Sequence, residues 1–161
     1  MEGIEIRRLM TDQDANGDVD VDVDLAALSA LFESVGMRKR SPSAMRAALA
    51  GSSDVVVAYQ AETLVGIGRL VSDRVYYGGI WDVAVRPDLQ SKGIGSRILN
   101  ELLVCAKARG LIMIGLFTAH HNRNFYEQFG FQFRPDIHAM TLTADNARGG
   151  FAAHLKENSD E

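Results

Sequence analysis

One stretch of the sequence, IWDVAVRPDLQSKGIGSRIL, leaves little freedom of fold. Residues 80–85 are apolar or β-branched at nearly every position, which suits a strand covered on both faces. Arg86-Pro87 ends it, because proline has no N–H to offer a ladder. Gly93 and Gly95 then remove side chains where Ile94, Ile98, Leu102 and Cys105 begin a helical stripe. A buried strand, a tight loop and a helix in that order make an α/β chain. Bare N–H groups at the helix start, with the positive end of its dipole, can take an anion. The same glycines also suit a plain turn or close packing, so the spacing alone leaves both readings.

The flanking sequence supplies the rest of a sheet. Residues 3–9 alternate as a first strand. Asp24 can cap a helix over 25–35, and Ser41-Pro42 opens a second one that stops at Gly51. Residues 54–60 and 63–72 form a hairpin, and the helix after the glycine loop runs to about 109 before Gly110. The apolar run 111–118 predicts another doubly buried strand, 122–129 a short helix, and 131–134 and 137–143 the last strands. Residues from about 146 read as a loose helix and acidic tail. With 161 residues, 47% of them hydrophobic, the chain can bury a single core, and one domain over 1–161 is expected.

Gln-x-x-Gly-x-Gly at 90–95, preceded by Val-x-Val-Arg-Pro and followed by Phe125-Tyr126-Glu127-Gln128-Phe129-Gly130-Phe131, resembles the GCN5-related N-acetyltransferase (GNAT) superfamily over roughly 54–143. The resemblance implies a mixed, mostly antiparallel sheet with helices on both faces and a splayed pair of central strands, at 80–85 and 111–118. It implies acetyl-CoA as donor and transfer of its acetyl group to a primary amine of a small molecule. Main-chain groups around Val83, Ala84 and Val85 would then bond the pantetheine arm, and Gln90, Ser91, Lys92, Gly93, Ile94, Gly95 and Ser96 the pyrophosphate. Tyr126 stands at the family's general acid, placed to protonate the departing thiolate. A phenol near pKa 10 facing a thiol near 8.5 makes full transfer uphill by about 2 kcal/mol, so hydrogen-bond donation is part of the role.

An ammonium acceptor must lose a proton before attack. Asp82 lies on the central strand, though whether it faces the cleft depends on a bulge invisible in sequence. His120 and His121 follow the other splayed strand, and imidazole suits base work near neutrality. Solvent is the third route. Many family members carry an asparagine seven residues before the tyrosine; here that position is Ala119, with Asn122 or Asn124 as substitutes. The helical pair resembles a wall of the acceptor site, and Arg38, Lys39 and Arg40 between its helices read as a solvated turn. Trp81 reads as packing. The alternative function is a non-catalytic acyl-CoA-binding or regulatory module on the same fold. A dinucleotide-binding reading fails, because Ile98 occupies the third glycine position.

Charge is uneven. Residues 9–37 hold seven carboxylates and no Lys or Arg, so of a net −4 they contribute −7 and the remainder +3. That mildly basic body suits a polyanionic cofactor and falls short of a nucleic-acid surface. Asp12, Asp14, Asn16, Gly17, Asp18 and Asp20 match the early positions of an EF-hand loop, but Val23 replaces the closing Glu. A solvated acidic loop at about 11–24 or a Val–Asp edge strand is expected rather than a metal site; it could draw in a polycationic amine or serve solubility. The lone Cys105 excludes an internal disulfide and reads as core. No apolar run approaches a membrane span and no signal-type segment is found, so cytoplasmic location is expected. The expected partners are acetyl-CoA and a small amine, with a homodimer left open.

Overall fold

Alternation along 54–60 turns Val55 and Val57 toward one layer of helices and Val56 and Ala58 toward another, and all four are fully buried. In the computed structural model, the described residues are 3–9, 11–13, 19–137 and 140–141. They form β1 (Ile4–Leu9), β2 (Thr11–Gln13), β3 (Val19–Val21), α1 (Leu25–Ser34), α2 (Pro42–Ala50), β4 (Asp54–Gln60), β5 (Thr63–Ser72), β6 (Tyr77–Val85), α3 (Ile94–Ala108), β7 (Met113–Gly115) and α4 (Arg123–Glu127). The chain falls into two compact units, Met1–Thr118 and Ala119–Glu161; the strands and α1–α3 belong to the first, α4 to the second. No helix among the described residues is long and apolar enough to cross a membrane.

The main sheet has five strands in the order β1-β4-β5-β6-β7, antiparallel except for the parallel pair β6–β7, and β2 and β3 pair separately. Local sequence explains both helices of the first layer. The Asp24 side chain accepts from the N–H groups of Ala26 and Ala27, and the Ser41 hydroxyl accepts from Ala44 N–H with Pro42 opening the helix. Leu28, Leu31 and Phe32 of α1 and Met45 and Leu49 of α2 then pack on Val55, Val57 and Ile67.

The second face belongs to α3, whose Ile98, Leu99 and Leu102 are fully buried. It settles over two glycines of β5. A Cβ at Gly66 would lie 2.8 Å from Ile98 Cδ1, and one at Gly68 would lie 2.8 Å from Ile98 Cγ2 and 2.9 Å from Leu102 Cδ1. The missing side chains set how close the helix comes to the sheet. Gly68→Val is therefore expected to cost about 1–3 kcal/mol by overpacking this seam. Thermal unfolding of the purified variant reads that cost, and an unchanged melting temperature would mean that α3 shifts freely. Cys105 packs in the same layer, and burial pushes its thiol up.

The structure corrects four expectations. The run 111–118 yields a strand of only three residues, and Ile112, Met113 and Phe117 are exposed, because β7 is the sheet edge among the described residues and pairs on one side only. Residues 131–134 form no strand. Trp81 is 44% exposed, its ring 5.7 Å from that of Phe117, so it is not core packing. Arg40 is not a solvated turn residue but half of an ion pair with Asp82. The Val–Asp segment supplies the short strand β3, paired with β2 in the separate two-stranded sheet. Residues 14–18, on which the EF-hand comparison turns, the tail from 146, and most of the expected strand 137–143 lie outside the described residues.

Candidate active site

After β6 the chain makes one 3-10 turn, Pro87–Leu89, and enters the glycine loop, where Ser91 and Gly93 take φ of 58° and 76°. The left-handed step at Gly93 turns the chain into α3. No side chain among the described residues caps that helix, in contrast to α1 and α2. The first-turn amides of a helix have no intrahelical acceptor, so those at Ile94, Gly95 and Ser96 suit an anion. Two side chains brace the loop from behind. Gln90 Nε2 donates to Val85 O at 3.0 Å, and Lys92 Nζ donates to Asp88 O at 2.9 Å. Ile94, 1% exposed, pins the helix start to the core.

Beside this loop β6 has an open edge. β6 and β7 pair only over Tyr77, Gly78 and Gly79 against Met113, Ile114 and Gly115, and past Gly79 β6 has no strand partner on that side among the described residues. Val83, Ala84 and Val85 lie in this stretch. An unpaired strand edge leading to an uncapped helix start fits an extended ligand that combines amides with a phosphate end, so the residues present match the donor implied above.

Asp82 marks a bulge. Pairing runs from Ile67↔Ala84 to Arg69↔Trp81, which leaves Asp82 and Val83 against the single residue Gly68, and Asp82 takes a φ of 52°. The bulge puts Asp82 and Ala84 both on the α1–α2 face. There Arg69 donates to Asp82 Oδ2 from Nε at 2.9 Å, and Arg40 donates to Oδ2 and Oδ1 at 2.6 and 2.8 Å. Arg69 is itself fixed, its Nη1 donating to Ala48 O at 2.8 Å and to Ser52 Oγ at 2.9 Å. The Arg40 guanidinium lies 4.9 Å from the centre of the Phe32 ring.

Burial alone would push the Asp82 carboxyl up, but hydrogen bonds and charge from Arg40 and Arg69 outweigh it and hold the group below the usual carboxylate range. A folded-state pKa below the unfolded one adds stability that is fully present above the unfolded value, near 3.9, and is lost as pH falls through the folded value. The stability gap between the parent and Asp82→Asn is thus expected to stay constant from about pH 5 to 8 and to shrink below about pH 4. Denaturant unfolding across pH measures it; a gap that changes between pH 5 and 8 would refute the assignment.

The other candidates belong to the second unit. His120, His121 and Asn122 form a short 3-10 turn after Ala119, and all three are exposed. Tyr126 lies on α4, its ring edge-to-face with Phe125 at 4.9 Å and with Phe131 at 5.9 Å. The structure thus brings the glycine loop, the open β6 edge and Asp82 together in the first unit, and Tyr126 with its aromatic neighbours in the second. Sequence reasoning missed Arg69, although a signal was there: an arginine inside TLVGIGRLVS, like an aspartate inside IWDVAV, needs a partner once buried.

Comparison with known proteins bears on the fold and the family. Residues 51–133 match the model of the acetyltransferase (GNAT) domain. An uncharacterised N-acetyltransferase, ycf52, of Pyropia yezoensis is 32% identical over 118 residues, covering 71% of this chain and 68% of that protein. Serotonin N-acetyltransferase 2, chloroplastic, of Oryza sativa is 30% identical, and the match spans 71% of this chain and 59% of the rice protein. Among solved structures, a probable acetyltransferase of meticillin-resistant Staphylococcus aureus superposes with a TM-score of 0.72 at 21% identity, covering 87% of this chain and 98% of that one. With a domain match over more than half its length and a 32% identical relative aligned along two thirds of its own, this chain belongs to the GNAT family of acetyltransferases.

Proposed function

We propose that the protein transfers an acetyl group from acetyl-CoA directly to a primary amine of a small molecule. The observation that carries this reading is the uncapped start of α3, with Gly93 left-handed before it, beside a β6 edge unpaired past Gly79 among the described residues. In this reading the amides of 90–96 hold the pyrophosphate, and main-chain groups of 83–85 line the pantetheine arm as an added strand would. Asn122 stands in for the asparagine that Ala119 lacks. Acetyl-CoA, when bound, supplies the acyl group as an activated thioester.

Tyr126 is the proton donor to the departing sulfur. Asp82 is a weak base, because both its oxygens already accept guanidinium hydrogens and its proton affinity is lowered. His120 and His121 are then the side chains for the amine's proton, with water as the other route. The name of the rice relative puts an arylalkylamine first among acceptors; the acidic run 12–24 adds polyamines and aminoglycosides. The sequence grounds for a cytoplasmic location stand against that relative's chloroplastic one, and imaging the tagged full chain in its own cells separates the two.

The test is free-thiol release from acetyl-CoA with a panel of serotonin, tyramine, spermidine and an aminoglycoside. Saturable release that needs an amine, with intersecting lines in two-substrate kinetics, is expected for direct transfer. Acetyl-CoA binding without thiol release from any amine would overturn the catalytic reading in favour of a non-catalytic acyl-CoA-binding module.

A further inference from the structure

Asp82 takes a left-handed φ of 52°, a conformation that costs most residues with a side chain roughly 1–2 kcal/mol and that aspartate adopts more readily when its carboxylate is hydrogen-bonded. The chain grips its carboxylate from two directions. Arg69 reaches across from β5, and Arg40 reaches over from the α1–α2 connection. Arg69 is tied in turn to the end of α2, through Ala48 O and the fully buried Ser52. The side chains of Asp82 and Arg69 are 9% and 12% exposed, so these contacts are shielded from competing water. What they hold is the one place where β6 gains a residue over β5, immediately before the main-chain groups of 83–85.

We propose that Arg69 and Arg40 are positioning residues that act through Asp82: their shared grip on its carboxylate keeps the β6 bulge left-handed and so fixes where the acyl end of the donor lies along β6. The inference rests on acetyl-CoA as the donor, and it assigns the two arginines no contact with substrate. Neither is a base or an anchor for phosphate. Because Arg40 comes from the connection between α1 and α2, the same grip ties that connection to the bulge.

Calorimetry with two probes, acetyl-CoA and CoA, tests it without any acceptor. CoA shares the pantetheine arm but has no acyl group, so misplacing the bulge should weaken acetyl-CoA more than CoA. Arg69→Met is expected to lower the ratio of acetyl-CoA to CoA affinity by about tenfold, with CoA affinity itself falling by no more than a few-fold. The double variant Arg69→Met with Asp82→Gly carries the decisive comparison. Glycine adopts a left-handed φ without a grip, and its introduction removes the carboxylate left behind, so the ratio should return to within about threefold of the parent. An unchanged ratio in Arg69→Met would overturn the proposal. So would a lowered ratio that Asp82→Gly fails to restore, since the arginine would then act by charge and not through the backbone. If Arg69→Met does not fold, Arg40→Met, at a site one-third exposed (33%), serves instead, with an expected drop of about threefold that Asp82→Gly should again restore. A parent that binds neither probe defeats the acetyl-CoA reading itself, and this inference with it; binding of both with an insensitive ratio defeats the inference alone.

Discussion

Tyr126→Phe is expected to lower turnover by about 10²–10⁴ while the Michaelis constant for acetyl-CoA barely moves. The substitution removes one oxygen and keeps the ring, so the edge-to-face contacts with Phe125 and Phe131 survive, and circular dichroism checks that the variant is folded. The split between the two constants follows from when the charge appears. A thioester sulfur is a poor acceptor, and a thiolate develops only as the bond to sulfur breaks, so the phenol's hydrogen bond strengthens in the transition state and hardly exists before it. Steady-state kinetics under conditions where chemistry limits the rate would decide. Turnover within a few-fold of the parent would make the phenol structural and leave the sulfur to depart unassisted or to be protonated through water.

Gly95→Val should weaken acetyl-CoA binding by an order of magnitude or more, about 1.4 kcal/mol at least, and leave the protein folded. Gly95 is the second residue of α3 and has no left-handed φ, so a side chain is compatible with its backbone. The branched side chain would crowd the amides where a pyrophosphate has to approach. Gly93 offers a contrast. At φ 76° any other residue strains the backbone itself, and Gly93→Val would mix lost binding with lost stability. Calorimetry on the Gly95 variant, with circular dichroism as a check on folding, isolates the first effect; unchanged affinity would remove the phosphate from this loop.

What the sequence made legible is what local chemistry dictates. Asp24, Ser41-Pro42, Gly51 and Gly110 punctuate α1, α2 and α3 within a residue or two of where these begin and end, because caps and stops depend on neighbours in the chain. Gly93 before the apolar stripe of α3 was legible for the same reason. The run 111–118 misled because periodicity counts apolar residues and says nothing about how many neighbours a strand will find; among the described residues the ladder takes in only Met113, Ile114 and Gly115. The bulge at Asp82 leaves no mark in composition, yet one extra residue reverses the faces of all that follows on β6. The partners of Asp82 stand 13 and 42 residues away in the chain, a separation that no spacing rule covers.

The strand order also has a kinetic meaning. β4, β5 and β6 follow one another in the chain and pair as consecutive hairpins, whereas β1 must wait for α1 and α2 to be spanned before it can meet β4. Closing a short loop loses less chain entropy than closing a long one, so the β4–β5–β6 meander can nucleate folding on its own contacts, with β1 joining a template already formed. Pulse-labelled hydrogen exchange during refolding should then protect amides of 54–72 before those of 4–9. If both become protected together, the first strand is part of the nucleus. If they separate, a newly made chain can hold its first fifty residues in waiting until the hairpins that they will cover have taken shape.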